Sequence, residues 1–432
     1  MVLLSLLEDI IMRMLNDSNT NWLGNIPAEW SIGRIGQLYS ERRVKVSDTE
    51  YMPLSVTMKG VVPQLSTAAK TDAHDDRKLV RKGDFAINSR SDRRGSCGIS
   101  EYDGSVSLIN TILAPRKSMS PRYYNWLFHT SEFAAEFYKW GHGIVDDLWT
   151  TNWNDMKRIL VPVPSLLEQE RIANFLDRKC VDIDNILEKT KASIEEYKKL
   201  KQSVITEAVT KGIRGERPMK DSGIEWVGEI PEDWGKDKIV RLFKTIGSGT
   251  TPKSSKDSSF KGSVNWIQSG DINGGLLNSC KNTINEDALN EYSALKVYRS
   301  PFIIMAMYGA SIGNISISTI DGCVNQACCV MSDSEVDSHY VFYALKSSKD
   351  YLVYKANGGG QPNISQETLK QLWIPKPPTP EQQEIATFLD KKCSEIDSLI
   401  ASKEKFITEL ESYKKSLIYE YVTGKKEVPS NA

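Results

Sequence analysis

Glu168-Gln-Glu-Arg-Ile-Ala-Asn-Phe-Leu-Asp-Arg-Lys-Cys180 and Glu381-Gln-Gln-Glu-Ile-Ala-Thr-Phe-Leu-Asp-Lys-Lys-Cys393 are one segment written twice, 213 residues apart. A second signature repeats with them. Asp17-Ser18 followed by Trp22-Leu-Gly-Asn-Ile-Pro-Ala-Glu-Trp30 returns as Asp221-Ser222 followed by Trp226-Val-Gly-Glu-Ile-Pro-Glu-Asp-Trp234, 204 residues on. The chain is therefore two copies of one unit, each a globular stretch followed by a long helical one. The two offsets are close, so the globular stretches are similar in size even where their sequences diverge.

Downstream of the repeated segment, Leu176, Cys180, Ile183, Leu187, Ile194, Tyr197, Val204 and Ala208 fall mainly at alternating steps of four and three. Their counterparts are Leu389, Cys393, Ile396, Ile400, Ile407, Leu410, Leu417 and Tyr421. This is an apolar heptad seam held in register in both copies. Between Glu168 and Lys211 nine acidic and nine basic residues balance each other. Pro162 and Pro164, and then Pro375, Pro377, Pro378 and Pro380, fix the starts; Gly212 and Gly424 punctuate the ends. A helix of this length reaches roughly 66 Å, and so narrow a stripe needs one partner helix. The repeat mate, paired antiparallel, is the expected partner. A coiled coil between two chains is the alternative.

The globular stretches read as strand-rich α+β. Strands are expected at Asp84–Asn88, Ser105–Ile109, Phe302–Ala306 and Cys323–Met331, with helices within Pro121–Trp140 and Ser338–Ala356. Asp84-Phe85 aligns with Pro301-Phe302, Gly98 with Gly313, and Asn110 with Asn325.

The 432 residues suggest two or three domains, and 10 Trp, 17 Tyr and 11 Phe exclude a disordered chain. No apolar stretch approaches the ~20 residues that span a bilayer. Residues Met1–Met14 are apolar but include Glu8, Asp9 and Arg13 and lack a basic n-region, so no signal peptide is expected. The seven cysteines are odd in number and form no C-x-x-C pair, which suits reduced thiols in a cytoplasmic protein. No metal site is expected, because Cys323, Cys328 and Cys329 lack suitable spacing and a fourth ligand.

Catalytic motifs are missing. There is no G-x-x-x-x-G-K-[ST], no G-x-G-x-x-G after a strand, no H-E-x-x-H and no Asn-Pro-Pro-Tyr or Asp-Pro-Pro-Tyr, and the four histidines are scattered. A duplicated chain without such a constellation points to binding and positioning. Positive charge is concentrated in two stretches. Arg77–Arg94 holds seven basic residues against Asp84 and Asp92; Lys236–Lys261 holds seven against Asp237 and Asp257, while the whole chain has a net charge of −1. Arginines can fork onto guanine edges or phosphates, and Gly247-Ser-Gly-Thr-Thr-Pro-Lys-Ser-Ser-Lys256 offers amides and hydroxyls suited to a phosphate backbone. A solvated polar loop is the bland reading for any single residue.

Taken in order, these segments resemble the specificity subunits of type I DNA restriction-modification systems. The Trp-x-Gly-x-Ile-Pro-x-x-Trp openers, the Pro-rich run into the repeated helix start and the paired helices carry the resemblance. So do Gly249-Thr-Thr-Pro252, Trp266–Ile272, Asn325-Gln326 and Gly360–Ile364 in the second half, and Gly83–Gly95, Tyr102–Val106 and Ile144–Asp147 in the first. The halves resemble different classes of target-recognition domain.

The resemblance implies two target-recognition domains, one per half of a bipartite, asymmetric DNA target, joined by two long helices pairing as an antiparallel coiled coil with pseudo-two-fold symmetry. It implies a non-catalytic subunit docking two methyltransferase subunits and motor-nuclease subunits, with S-adenosylmethionine, ATP and Mg²⁺ on those partners and no cofactor on this chain. The expected layout is an extension (1–16), a first recognition domain (17–165), a first spacer helix (166–212), a linker and second recognition domain (213–378), a second spacer helix (379–426) and a tail (427–432). The candidate DNA contacts are Lys82, Ser89, Arg90, Ser91, Arg93 and Arg94, then Ser248, Thr250, Thr251, Lys253, Lys256, Tyr308, Ser311, Gln361 and Asn363. The spacer rests on Leu176, Ile183, Leu187, Ile194, Leu389, Ile396, Ile400 and Ile407.

Overall fold

A computed structural model describes residues 13–64, 75–116, 119–144, 149–252, 257–356 and 363–429. It separates into two units: residues 1–191 with 404–432, and residues 192–403. Each unit contains one globular domain and part of each long helix, Leu166–Lys211 and Thr379–Val422.

In the first unit, the central sheet runs in the order Cys97–Ile99, Phe85–Asn88, Asn110–Pro115, Tyr39–Glu41, with every neighbouring pair antiparallel. Its two middle strands, Phe85–Asn88 and Asn110–Pro115, are largely apolar and mostly buried, as strands covered on both faces require. Helices Pro121–Phe128 and Ser131–Lys139 cover one face, packing Tyr123, Tyr124, Phe128, Phe133 and Phe137 against Tyr39 and Phe85. Thr130 separates the two helices, its hydroxyl accepting from Phe133 N–H as an N-cap.

The second unit repeats this sheet. Phe302–Ala306 lies between Ile315–Ser318 and Cys328–Ser334, Phe243–Gly247 joins beyond the latter, and Leu276–Leu277 adds a parallel edge. Helix Ser338–Ser347 covers it. Phe85 and Phe302 therefore open equivalent strands. The other two alignments drawn from sequence fail: Gly98 sits within a strand while Gly313 lies in a turn, and Asn110 opens a strand that Asn325 only precedes. The run Cys323–Met331 is likewise broken into Cys323–Val324 and a strand from Cys328, because the Asn325 side chain accepts from Ala327 N–H at 3.1 Å and turns the chain.

The helices pair within the chain, antiparallel in each unit. In the first, Lys414 reaches Asp184 at 2.6 Å, Lys191 reaches Glu411 at 3.4 Å, and Phe175 packs on Tyr421 with ring centroids 4.5 Å apart. In the second, Lys201 reaches Asp397 at 2.6 Å, and the Lys403 ammonium lies 5.6 Å from the Tyr197 ring. Leu176, Ile183, Leu187, Ile194, Leu389 and Ile396 are buried, while Ile400 and Ile407 are half-buried. Thr190 and Lys201 fill the gaps in the first helix's four-and-three pattern, and Lys403 and Lys414 fill those of the second. Lys201 and Lys414 occupy one repeat position, as do their partners Asp397 and Asp184, so the same ion pair is made twice.

The two repeated signatures meet at the helix starts. Trp30 donates its indole N–H to Glu168 at 2.8 Å, and Trp234 donates to Glu381 at 3.0 Å. Gly212 and Gly424 end the helices with positive φ, +79° and +71°. A Cβ on Gly424 would fall 2.4 Å from Pro27 Cγ, so both conformation and space demand glycine there.

Candidate nucleic-acid interface

In the first unit the chain leaves the central strand at Asn88, whose side chain accepts from Arg90 N–H at 3.0 Å. A single 3-10 turn, Ser91–Arg93, follows, and Gly95 at φ +75° brings the chain back so that Asn88 N–H bonds Ser96 at 2.9 Å. Tyr138 braces the turn, its hydroxyl lying 3.2 Å from the Asn88 carbonyl and 3.3 Å from that of Arg93. The Arg94 guanidinium stands 5.4 Å from the Tyr138 ring. Arg90 and Arg93 flank Asp92 at 3.2 and 3.7 Å, and the Arg93 side chain is 68% exposed. Ser89 packs inward, its hydroxyl 3.0 Å from that of Thr111, and Ser91 N–H bonds the Trp149 carbonyl at 3.0 Å. Beside this turn is an open cleft of about 620 Å³ lined by Ser91, Asp92, Arg94, Tyr138, Lys139 and Trp149.

The basic stretch around this loop is thinner than the sequence suggests. Arg77 is buried and bonds the hydroxyl and carbonyl of Ser105 at 2.9 and 3.0 Å; Lys78 bonds the Asn110 carbonyl at 2.7 Å. Burial lowers the pKa of both. Arg81 pairs with Asp103 at 2.9 Å. Lys82, with its side chain 71% exposed and 3.5 Å from Glu101, remains on the surface with Arg90, Arg93 and Arg94.

The equivalent exit in the second unit is the turn after Ala306. Gly309 and Gly313 take positive φ, and Ala306 and Gly313 close the turn by bonding Asn314 and Ala306 at 2.8 Å. Tyr308 bridges to the exposed Asn363, and Ser311 is partly exposed. Lys349 reaches Asn314 at 2.8 Å. Gln361, Lys253 and Lys256 lie outside the described residues.

Around residues 247–252, the polar groups serve the fold. Ser248 donates to the Cys328 carbonyl at 2.7 Å, Thr251 donates to Gln326 at 2.6 Å, and the Thr250 carbonyl accepts from the Trp266 indole at 3.2 Å. Gly249 is small because a Cβ would fall 1.8 Å from the Val324 carbonyl oxygen. The second basic stretch also divides. Lys236 and Lys238, on the ribbon formed by Gly235–Lys238 and Trp373–Lys376, and Arg241, in the short helix Ile239–Leu242 after it, gather 5.3–6.0 Å from the Trp373 ring, and Lys244 pairs with Glu335 at 3.6 Å. Sequence reading did not single out Tyr138, Lys139 or Trp149. The only available signal was the aromatic-basic Tyr138-Lys-Trp140 at a helix end.

Burial holds the thiols protonated, with Cys97, Cys328 and Cys329 pushed up to about 12. Among the described residues, no three His, Cys, Asp or Glu side chains gather as a metal site requires, and no helix is long and apolar enough to cross a membrane.

Residues 231–412 match the family model of the type I restriction modification DNA specificity domain. Over 98% of its length the chain is 31% identical to a putative type I restriction enzyme MjaX specificity subunit of Methanocaldococcus jannaschii, spanning 94% of that protein. The chain belongs to the type I restriction enzyme specificity subunits. A second relative, the MjaVIII specificity subunit of the same organism, is 26% identical over 97% of this chain and 98% of its own length. The same fold recurs in the HsdS subunit of Thermoanaerobacter tengcongensis, with a TM-score of 0.54 and 16% identity over 93% of this chain and 98% of that one. A chain from a structure concerned with complex assembly and conformational transition of the type I R-M system matches with a TM-score of 0.74 and 15% identity, over 93% of this chain and 99% of that one. As a specificity subunit the chain is a recognition component without catalysis of its own.

Proposed function

We propose that this specificity subunit reads a bipartite, asymmetric DNA target, one half-site per unit. It works in the cytoplasm and docks two methyltransferase subunits and motor-nuclease subunits. S-adenosylmethionine, ATP and Mg²⁺ belong to those partners. The supporting observation is that the loops after Asn88 and after Ala306 leave the same strand of the same sheet in the two units, with unrelated side chains. Equivalent placement suits equivalent tasks, and different chemistry suits different sequences. In the first half-site Arg90, Arg93, Arg94 and Lys82 meet bases and phosphates, with Arg94 presented beside Tyr138. In the second, Tyr308, Ser311 and Asn363 face the DNA together with Lys253, Lys256 and Gln361, while Ser89, Ser91, Ser248, Thr250 and Thr251 shape the loops that carry these contacts. The coupled readers gain affinity from effective concentration and select a spacing.

Genome-wide mapping of methylated adenines in a host carrying the chain and its partners tests this. Two half-sites separated by a fixed unspecified stretch are expected, and replacing Arg90, Arg93 and Arg94 with Ala should change one half-site only. A contiguous motif, or duplex binding that is flat in salt, would refute the reading and favour a protein-interaction scaffold.

A further inference from the structure

The Trp–Glu contacts at the helix starts belong to a larger cluster made twice. In the second unit, Glu381 is fully buried and accepts from Arg217 Nη2 at 2.6 Å and Nη1 at 3.3 Å, and from the Trp234 indole at 3.0 Å. Arg217 lies 5.1 Å from the Trp234 ring, donates to the Lys211 carbonyl at 3.3 Å and sits 3.7 Å from Asp233. In the first unit, Arg13 pairs with Glu168 and with Glu29 and lies 5.5 Å from the Trp30 ring, while Trp30 donates to Glu168. Arg13, Glu29 and Trp30 stand 204 residues before Arg217, Asp233 and Trp234. Arg13 thus takes part in the repeat, although the sequence pattern begins at Asp17.

Each cluster joins three parts of its unit. The arginine and tryptophan come from the segment that opens the globular domain. The glutamate lies in the first turn of the helix that leaves that domain. A Cβ on Gly212, at the end of the other long helix, would lie 3.0 Å from Glu381 and 3.1 Å from Trp234; one on Gly424 would lie 2.8 Å from Trp30. Each carboxylate holds two directional donors at such a junction and so fixes an angle, because any rotation of the domain on its helices breaks a charge-assisted bond; the loss is greater at Glu381, which is fully buried, than at Glu168, whose side chain is 22% exposed.

We infer that Glu168 and Glu381 are positioning residues for target reading: each locks its recognition domain to the helical pair, and the stiffness of that lock sets how strictly the complex enforces the spacing between half-sites. This rests on the bipartite reading proposed above. The test uses the assembled methyltransferase complex on duplexes carrying both half-sites at the cognate spacing and at one base pair more or less. Glu381→Gln keeps an acceptor for the indole but removes the charge that holds Arg217. Its discrimination against the wrong spacings should fall on the order of tenfold, the size of one lost charge-assisted bond, with the half-site sequences unchanged. Trp234→Phe removes the N–H while keeping a ring, and should act in the same direction if Glu381→Gln does not fold. Glu168→Gln should act in the same direction through the other unit, and more weakly, because Glu168 is partly exposed. A uniform loss of methylation at all three spacings, or an unaltered spacing profile, would overturn the inference, since either result makes the cluster merely structural. A wild-type complex indifferent to spacing would instead bring down the bipartite reading itself.

Discussion

Leu187 and Ile400 hold the same place in the two helical repeats, and by sequence alone their truncation should cost the same. The structure separates them. Leu187 is 8% exposed and belongs to the core of the first unit, where Leu417 and Tyr421 are also buried and Leu410 and Ile418 pack alongside. Ile400, in the second unit, is half-buried and belongs to none of the buried clusters among the described residues. Leu→Ala at a buried site costs about 2–5 kcal/mol in transfer and cavity terms, and a two-helix seam, open to solvent on its flanks, falls near the low end, about 2.5 kcal/mol. A half-exposed Ile loses much less transfer energy, about 1 kcal/mol. For units of about 220 and 212 residues, each kcal/mol shifts the midpoint by roughly 2–4 °C. Leu187→Ala should therefore lower the melting of the first unit by about 5–10 °C, and Ile400→Ala that of the second by about 2–4 °C, read by scanning calorimetry. Equal shifts, or a larger one for Ile400→Ala, would refute the assignment of seam burial.

Three further outcomes are expected. Gly424→Ala must take φ +71° and push a Cβ to within 2.4 Å of Pro27 Cγ, whereas Gly95→Ala takes φ +75° with nothing within 4 Å. The latter should cost only the backbone strain, about 1 kcal/mol, and the former at least twice that by thermal denaturation. Arg93→Ala removes an exposed side chain whose pair with Asp92 contributes little to folding. It should leave the melting temperature unchanged while flattening the slope of log DNA affinity against log salt by about 0.9 for one lost phosphate contact; an unchanged slope would remove Arg93 from the interface. With burial raising every thiol and Cys280 the only cysteine not buried, a charged thiol reagent at pH 8 should modify Cys280 first and slowly in the native protein, and all seven cysteines in denaturant. Rapid native labelling of Cys97 or Cys329 would contradict the packing.

The helices and the duplication were legible because each rests on a local rule. A heptad seam needs one apolar residue every three or four positions, and Pro and Gly mark its ends. What was not legible depends on contacts between distant residues. Lys201 and Lys414 look like breaks in the seam until each is seen to reach an aspartate on the facing helix. Arg77 and Lys78 looked like surface charge because their strand could not be oriented without its neighbour, Gly104–Ser107, which brings Ser105 to Arg77. The polar loop from Gly247 suggested phosphate binding because Ser248 and Thr251 gave no sign that their acceptors lay some 80 residues away, at Cys328 and Gln326. In the first unit the cleft draws Trp149 and Tyr138 from segments far from Arg94, a convergence that no spacing rule captures.

The pattern of what repeats within the chain has a physical cause. In an antiparallel pair of repeated helices, residues of one copy share a core with residues of the other: Leu176 with Tyr421 in the first unit, Ala208 with Leu389 in the second. Tyr421 and Ala208 are themselves repeat equivalents, as are Leu389 and Leu176. A change at one seam position must therefore be tolerated by the other copy's residue, and the ion pair of Lys201 with Asp397 recurs as that of Lys414 with Asp184. Glu168 and Glu381 differ in this, each being held by an arginine and a tryptophan of its own copy. Ser89-Arg-Ser-Asp-Arg-Arg94 and Met307-Tyr-Gly-Ala-Ser-Ile312 share a place in the sheet and almost no chemistry. The contacts of the scaffold thus recur in both copies while the two loops have diverged, an arrangement that fits the proposed reading of a different half-site by each unit.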